Sequence, residues 1–363
     1  MGRIVFSAIA CFIVYGLQAQ VIEGIVYDAN TRETIPGVYV YFDGTSISTT
    51  SDVEGKFKLL VNQKINSALV FRHMSYESLL IEHPFEHQET SFFLKEKINT
   101  LSGAVVVAKQ NNERYTRAEK MAMFKRIFLG ESETAKSCLI LNEDDIMLSY
   151  DDEDDILTAS STNPIVIENK RLAYRITYDL HSFSTQFTNT VHSPTIISNG
   201  TTFSIKGTSL FEDLSLFNAA IIRRRDEAYQ RSRENFWKNF VSGTLKEAKF
   251  NIYNRSREIK VADYFTIIES SPRKVVLINQ GTNLNRFHVG VQEGTVYGVI
   301  GIIFDKKYQS EVIFRTNRFS VDENGNLHTL DDIVFIGDMC NQRIGDMLPL
   351  DYVYAPTQSP RRR

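Results

Sequence analysis

Long apolar runs are what this 363-residue sequence has least of. Past Leu17 no segment holds the ~18 consecutive apolar residues of a membrane-spanning helix, so the body of the chain has no second anchor of that kind. An excess of one charge is also missing. The 41 Lys and Arg stand against 44 Asp and Glu, a net of −3, which leaves no electrostatic footprint for nucleic acid. The closing Arg361-Arg362-Arg363 is too short to alter that, and residues 357–363 read as a solvated basic tail. Cysteine is scarce: beyond Cys11 there are only Cys138 and Cys340. They admit one intramolecular disulfide in an oxidising compartment, and equally read as two small buried hydrophobes.

What is present begins with a basic residue, Arg3, then an apolar run from Ile4 to Leu17, then Gln18-Ala19-Gln20. This order is that of an export signal spanning 1–19 and cut after Ala19, and the run is too short to span a bilayer. Lipid attachment at Cys11 is the rival, but Phe12-Ile13-Val14-Tyr15 follow it and Ala8 precedes it where Leu is usual. The mature chain is therefore expected outside the cytoplasm, in the periplasm or at the outer membrane, with no transmembrane segment.

From Val21 to Leu94, apolar positions alternate and are punctuated every ~8–12 residues by Gly, Pro, Asn and Asp, the pattern of half-buried antiparallel strands. Gly44-Thr45-Ser46 and Asp52-Val53-Glu54-Gly55 are turn sequences. Ser67–Phe71 is a core strand, and Thr90–Leu94 closes an expected all-β sandwich of about seven strands over residues 20–97. Gly24-Ile25-Val26-Tyr27-Asp28, Ile35-Pro36-Gly37-Val38-Tyr39-Val40, Ser51-Asp52-Val53-Glu54-Gly55-Lys56-Phe57 and Phe71-Arg72-His73-Met74-Ser75-Tyr76 follow one another in order. On these motifs the segment resembles the carboxypeptidase-regulatory-like domain, whose sandwich is transthyretin-like and which is common in envelope proteins of Bacteroidetes-type bacteria. The resemblance implies an accessory module without catalytic residues. One departure is His73-Met74, where that family often has small residues. Leu101–Val107 is similar to the strand that follows this module in TonB-dependent receptors, yet the remaining chain lacks the series of ~10-residue alternating segments of a barrel.

Residues 98–112 read as a linker, and 113–356 as an α+β, strand-rich domain. Glu113–Phe128 has helical spacing, with Gly130 as a C-terminal cap. A second helix is expected from about Phe211 to Ala248, broken near Ser242-Gly243, carrying Phe217, Ile221, Tyr229, Phe236, Trp237 and Phe240 beside Arg223-Arg224-Arg225. Strands are expected at 165–167, 173–180, 202–205, 264–268, 274–277, 298–303 and 310–314. Phe124–Gly130, Ile165–Asn169, Tyr174–Leu180 and Arg343–Pro349 resemble segments of uncharacterised exported proteins with the same front module, which implies no activity.

Several constellations invite a chemical reading. His83-Pro84-Phe85-Glu86-His87 matches H-x-x-E-H, but zinc needs both histidines one helical turn apart. Between two apolar runs the pentapeptide reads as an exposed hairpin turn, and on a strand the histidines would lie about 13 Å apart. A triad of His83, Glu86 and His192 would draw on two domains. Asp151-Asp152-Glu153-Asp154-Asp155, with Glu143-Asp144-Asp145 upstream, lacks the glycine of a calcium loop. No nucleophile elbow occurs, and Ser209 and Ser232 have no histidine nearby in sequence. Gly298-Val299-Ile300-Gly301 lies in an apolar strand pattern rather than a phosphate loop. The sequence thus nominates no catalytic, cofactor-binding or metal-binding residue, and no cofactor. The expected role is a non-enzymatic binding or structural one, with an envelope protein or a glycan as partner. The alternatives are a hydrolase whose site is assembled within 110–356, and an accessory of a TonB-dependent receptor in the outer membrane.

Overall fold

The computed structural model describes residues 20–62, 65–86, 89–97, 114–187, 202–216, 218–286, 295–327 and 332–354. The expected export signal (1–19), the expected strand at 101–107, His87, His192, Phe217 and residues 357–363 lie outside them.

The N-terminal unit has seven strands: β1 (Gln20–Asp28), β2 (Tyr39–Phe42), β3 (Ser48–Thr50), β4 (Lys56–Val61), β5 (Leu69–His73), β6 (Tyr76–Ile81) and β7 (Ser91–Leu94). They form two sheets ordered β4-β1-β7 and β3-β2-β5-β6. Strict alternation in β4 sends Phe57, Leu59 and Val61 inward and Lys56, Lys58 and Leu60 outward. Between the sheets Phe57, Phe71 and Phe92 meet ring to ring, each burying area worth about 1.5–3 kcal/mol. Gly55 turns with φ +72°, and a Cβ there would stand 2.7 Å from the Val26 carbonyl oxygen, so glycine is required. The described residues 83–86 do not turn between paired strands of a hairpin. Instead β6 and β7 belong to different sheets, because β7 pairs in parallel with β1. That placement puts Phe92 and Leu94 in the core beneath β1.

After this unit α1 (Arg117–Leu129) begins at a capping box, Thr116 with Glu119, a few residues later than its sequence pattern suggests. It lies on a six-stranded antiparallel sheet of β8 (Cys138–Ile140), β9 (Ile146–Asp151), β10 (Ile156–Ser161), β11 (Ile165–Asn169), β12 (Tyr174–Gln186) and β13 (Thr202–Asp213). The long β12 pairs with β11 along its first half and β10 along its second, while β13 runs along its other edge. Met121, Phe124, Ile127 and Phe128 of α1 fill a core with Ile146, Leu157, Ile165, Ile167, Ile176 and Phe183.

The expected helix from 211 to 248 is corrected in two respects. Phe211–Asp213 end β13, and two helices follow, α2 (Ala219–Gln230) and α3 (Arg233–Ser242). The break falls at Arg231-Ser232 because the Ser232 hydroxyl accepts the Asn235 amide and caps α3. Gly243, at φ +72°, ends α3 rather than interrupting a longer helix.

The last unit contains β14 (Phe250–Asn254), β15 (Arg257–Glu258), the short α4 (Val261–Tyr264), β16 (Phe265–Ser270), β17 (Arg273–Ile278), β18 (Gly298–Phe304), β19 (Tyr308–Phe314), β20 (Arg318–Asp322), β21 (Ile333–Gly337) and the short α5 (Asp338–Asn341). Its sheets run β15-β14-β18-β19-β21 and β16-β17-β20. Phe236, Trp237 and Phe240 of α3 join Phe265, Phe314 and Phe319 in one aromatic core. The described residues of 114–354 thus hold two separate hydrophobic cores.

A C-terminal strap, residues 342–354, ties the units together. The Arg343 guanidinium donates to the Ile127 carbonyl at 2.6 Å, and Asn169 donates to the Gly345 carbonyl at 2.9 Å. Leu350 N–H donates to the Gly44 carbonyl at 2.7 Å, and the Tyr352 hydroxyl to Asp226 at 2.6 Å. A Cβ at Gly345 would meet the Leu129 carbonyl oxygen and Ala135 Cα, both at 2.7 Å. The Arg343–Pro349 motif is therefore a packing requirement.

Candidate functional site

The β2–β3 turn of the sandwich sits against the edge strand β13. Gly44 N–H donates to the Ser209 carbonyl at 2.8 Å, and Phe211 N–H to the Thr45 carbonyl at 2.9 Å. The turn thus adds a short parallel bridge, Thr45 to Leu210, to the neighbouring sheet. Asp43 is the centre of this junction. Its carboxylate accepts the Ser209 amide at 2.7 Å, and burial nevertheless raises its pKa above the ordinary aspartate value. Alongside, the Tyr41 hydroxyl and Thr208 Oγ1 are 3.0 Å apart in a buried contact, and burial pushes the phenol up to about 12. Ser46 donates its amide to Asp351 at 2.8 Å and its hydroxyl to the same carboxylate.

This junction contains Asp43 and Ser209, with the charge of His181 nearby. A hydrolytic triad places the imidazole between serine and carboxylate. Here the Asp43 carboxylate accepts the Ser209 backbone amide, Ser209 is 4% exposed and His181 lies exposed on β12, so the Asp43–Ser209 contact joins two sheets rather than forming a nucleophile–base pair. Ser232 is likewise occupied as the α3 cap.

A second tie lies beneath α2. The buried Arg225 donates to the carbonyls of Leu172 and Ala173 at 2.7 and 2.9 Å, and bidentately to Asp213 at 2.9 and 2.8 Å. Its guanidinium lies 3.6 Å from the Tyr174 ring centroid, and the pairing holds the Asp213 carboxyl well below the usual range. Of the Arg223–Arg225 triplet, Arg225 is structural and Arg223 is exposed toward Glu227.

The other sequence motifs are placed as follows. His83 and Glu86 are exposed in a turn closed by the Glu86 amide on the His83 carbonyl at 3.0 Å. Among the described residues no three His, Cys, Asp or Glu side chains converge on a metal position. Asp151–Asp155 forms the β9–β10 turn. Asp151 accepts the amides of Glu153 and Asp154, while Asp155 accepts from Tyr150 and Arg114. Gly298–Gly301 lies in β18. Both cysteines are free, and burial pushes the Cys138 thiol up to about 12, which makes it inert.

Among the described residues of the last unit, one smaller and one larger cavity open to the surface. The smaller, about 250 Å³, is bordered by Arg257, Asp263, Tyr264 and Asn283. The larger, about 440 Å³, lies on the outer face of the five-stranded sheet around Tyr253, Gly301, Gln309 and Glu311. Sequence reading missed it because its residues come from four strands, β14, β18, β19 and β21, that only register brings together.

Residues 22–107 match the family model of the CarboxypepD_reg-like domain, so the N-terminal sandwich is a carboxypeptidase-regulatory-like domain. Comparison of the chain with curated proteins finds no match.

Proposed function

We propose that this is an exported, non-enzymatic protein of the bacterial envelope with a binding or structural role, in which the carboxypeptidase-regulatory-like domain is the accessory module. The observation that carries the reading is the docking of that domain. Its β2–β3 turn is bonded to β13 and to the strap, as in a support that sets the position of other surfaces. The half-buried Asp43 and the buried Arg225 and Asp226 are committed to a backbone amide, backbone carbonyls and a tyrosine, which is the chemistry of structural ties. Export rests on Arg3, the apolar run to Leu17 and the small Ala19 before Gln20. The partner is another envelope component, a protein or its glycan.

Fractionation of expressing cells, with mass spectrometry of the product, tests this. The expected product begins at Gln20 and is recovered from periplasm or outer membrane. A cytoplasmic product with Met1 intact, or lipid on Cys11, overturns the assignment.

A further inference from the structure

Pairing across the five-stranded sheet puts Tyr253, Gly301, Glu311 and Ile336 in one row of its outer face. In the adjoining row Ile303 stands between Asn251 and Gln309. The second member of the first row has no side chain, and there the sheet opens into the cavity of about 440 Å³, within the ~300–1,000 Å³ range of small-molecule sites. The fold does not demand this glycine. Its φ is not positive, and an added Cβ would rest 3.6 Å from the Tyr253 Cβ, an ordinary contact. A glycine inside a strand weakens it, and close approach by a ligand is one of the recurrent reasons for one there.

The surrounding groups have the chemistry of a ligand site. The side chains of Tyr253, Arg255, Ser256 and Gln309 make no hydrogen bond, ion pair or ring contact with any described residue. They supply an aromatic wall, a guanidinium, a hydroxyl and an amide around a floor partly formed by Ile303 and Ile336. A pyranose ring presents an apolar C–H face suited to a tyrosine ring and hydroxyls suited to amide, hydroxyl and carboxylate partners. Glu311 and Arg255 carry opposite charges at the same notch, which disfavours a strongly anionic or cationic ligand.

We propose that the notch around Gly301 binds a neutral saccharide. The proposal rests on the reading of the protein as a binding protein and adds the site and the ligand class. It is tested by profiling the purified chain on an array of neutral and acidic glycans, then titrating the strongest neutral glycan by calorimetry. Saturable binding by the wild type is expected. Gly301→Val should abolish it while the thermal midpoint is kept, since a β-branched side chain suits a strand. Gly301→Ala is the second arm should valine disturb the sheet. Tyr253→Ala should weaken binding about tenfold or more, and Tyr253→Phe should retain it. No glycan bound, binding of acidic glycans alone, or neutral binding untouched in folded Gly301 variants would each overturn the proposal. An exported protein that binds no glycan defeats only this inference. A cytoplasmic protein that binds through Gly301 defeats only the envelope assignment.

Discussion

The sandwich of β1–β7 and the paired sheets of β14–β21 both close two sheets over phenylalanines, yet they are built differently. In the first, the core comes from strand alternation and adjoining loop residues, with no helix. In the second, α3 inserts Phe236, Trp237 and Phe240 against the sheets. The first therefore takes its rings from strands alone, whereas the second adds three large rings from one helix. Their outward faces differ too. The β2–β3 turn of the first is bonded into β13 and the strap, while the second presents an open notch at Gly301. One unit is bonded into its neighbours at its turn, and the other has a notch on its outer sheet face.

The largest effect should come from breaking the helix-plugged core. Trp237→Ala should cost about 3–5 kcal/mol in denaturant unfolding followed by circular dichroism. Trp237→Phe should cost much less, because the indole N–H has no partner in the core. Equal losses in the two variants would show that the core does not depend on the ring.

How far the two units could be read in advance follows the same division. The sandwich was legible because Asp52–Gly55 and the alternation of Lys56–Val61 are local signals that its topology obeys. The β6–β7 crossover was not, since Leu79–Ile81 and Phe92–Leu94 look alike whether they pair or lie in opposite sheets. The continuous run 211–248 hid the Ser232 cap, whose evidence is one hydroxyl on one amide. Gly345 was visible only as part of a motif, and its reason, contact with Leu129 and Ala135 some 200 residues away, is tertiary. Tyr253, Gly301 and Gln309 meet only through the register of β14, β18 and β19.

Next in size is the tie beneath α2. Arg225→Ala should cost about 2–3 kcal/mol, toward the low end for a broken buried pair because Asp213 stays half exposed. Lysine at 225 should rescue little, since a point charge cannot serve two carbonyls and a carboxylate together. Full rescue by lysine in a thermal melt would contradict the fork geometry.

Gly345→Ala should destabilise by about 1–3 kcal/mol, as overpacking does, by lifting the strap from α1. Limited proteolysis should then cut within 342–354, and an uncut strap in this variant would refute its assigned contact.

The smallest expected effect is a pH dependence at the junction. Burial raises the folded-state pKa of Asp43 above 3.8, so the contribution of its protonated form is full below that value and is lost as pH rises through the higher folded value. Asp43→Asn removes this loss and should gain on the wild type as pH rises through that window, read as the difference in thermal midpoints. Asp213 acts oppositely, because its lowered pKa gives stability that is lost only as pH falls, and it is common to both proteins. A difference independent of pH would mean that Asp43 is solvated.

The claim that the carboxypeptidase-regulatory-like domain is docked, and is not a free spacer, is tested most directly by amide hydrogen exchange on the intact chain. The amides of Gly44, Ser209 and Phe211 bond across the junction, so they should exchange as slowly as core amides of β5 and β12. Exchange of these three at the rate of exposed turns, with the cores of both units still protected, would contradict the account.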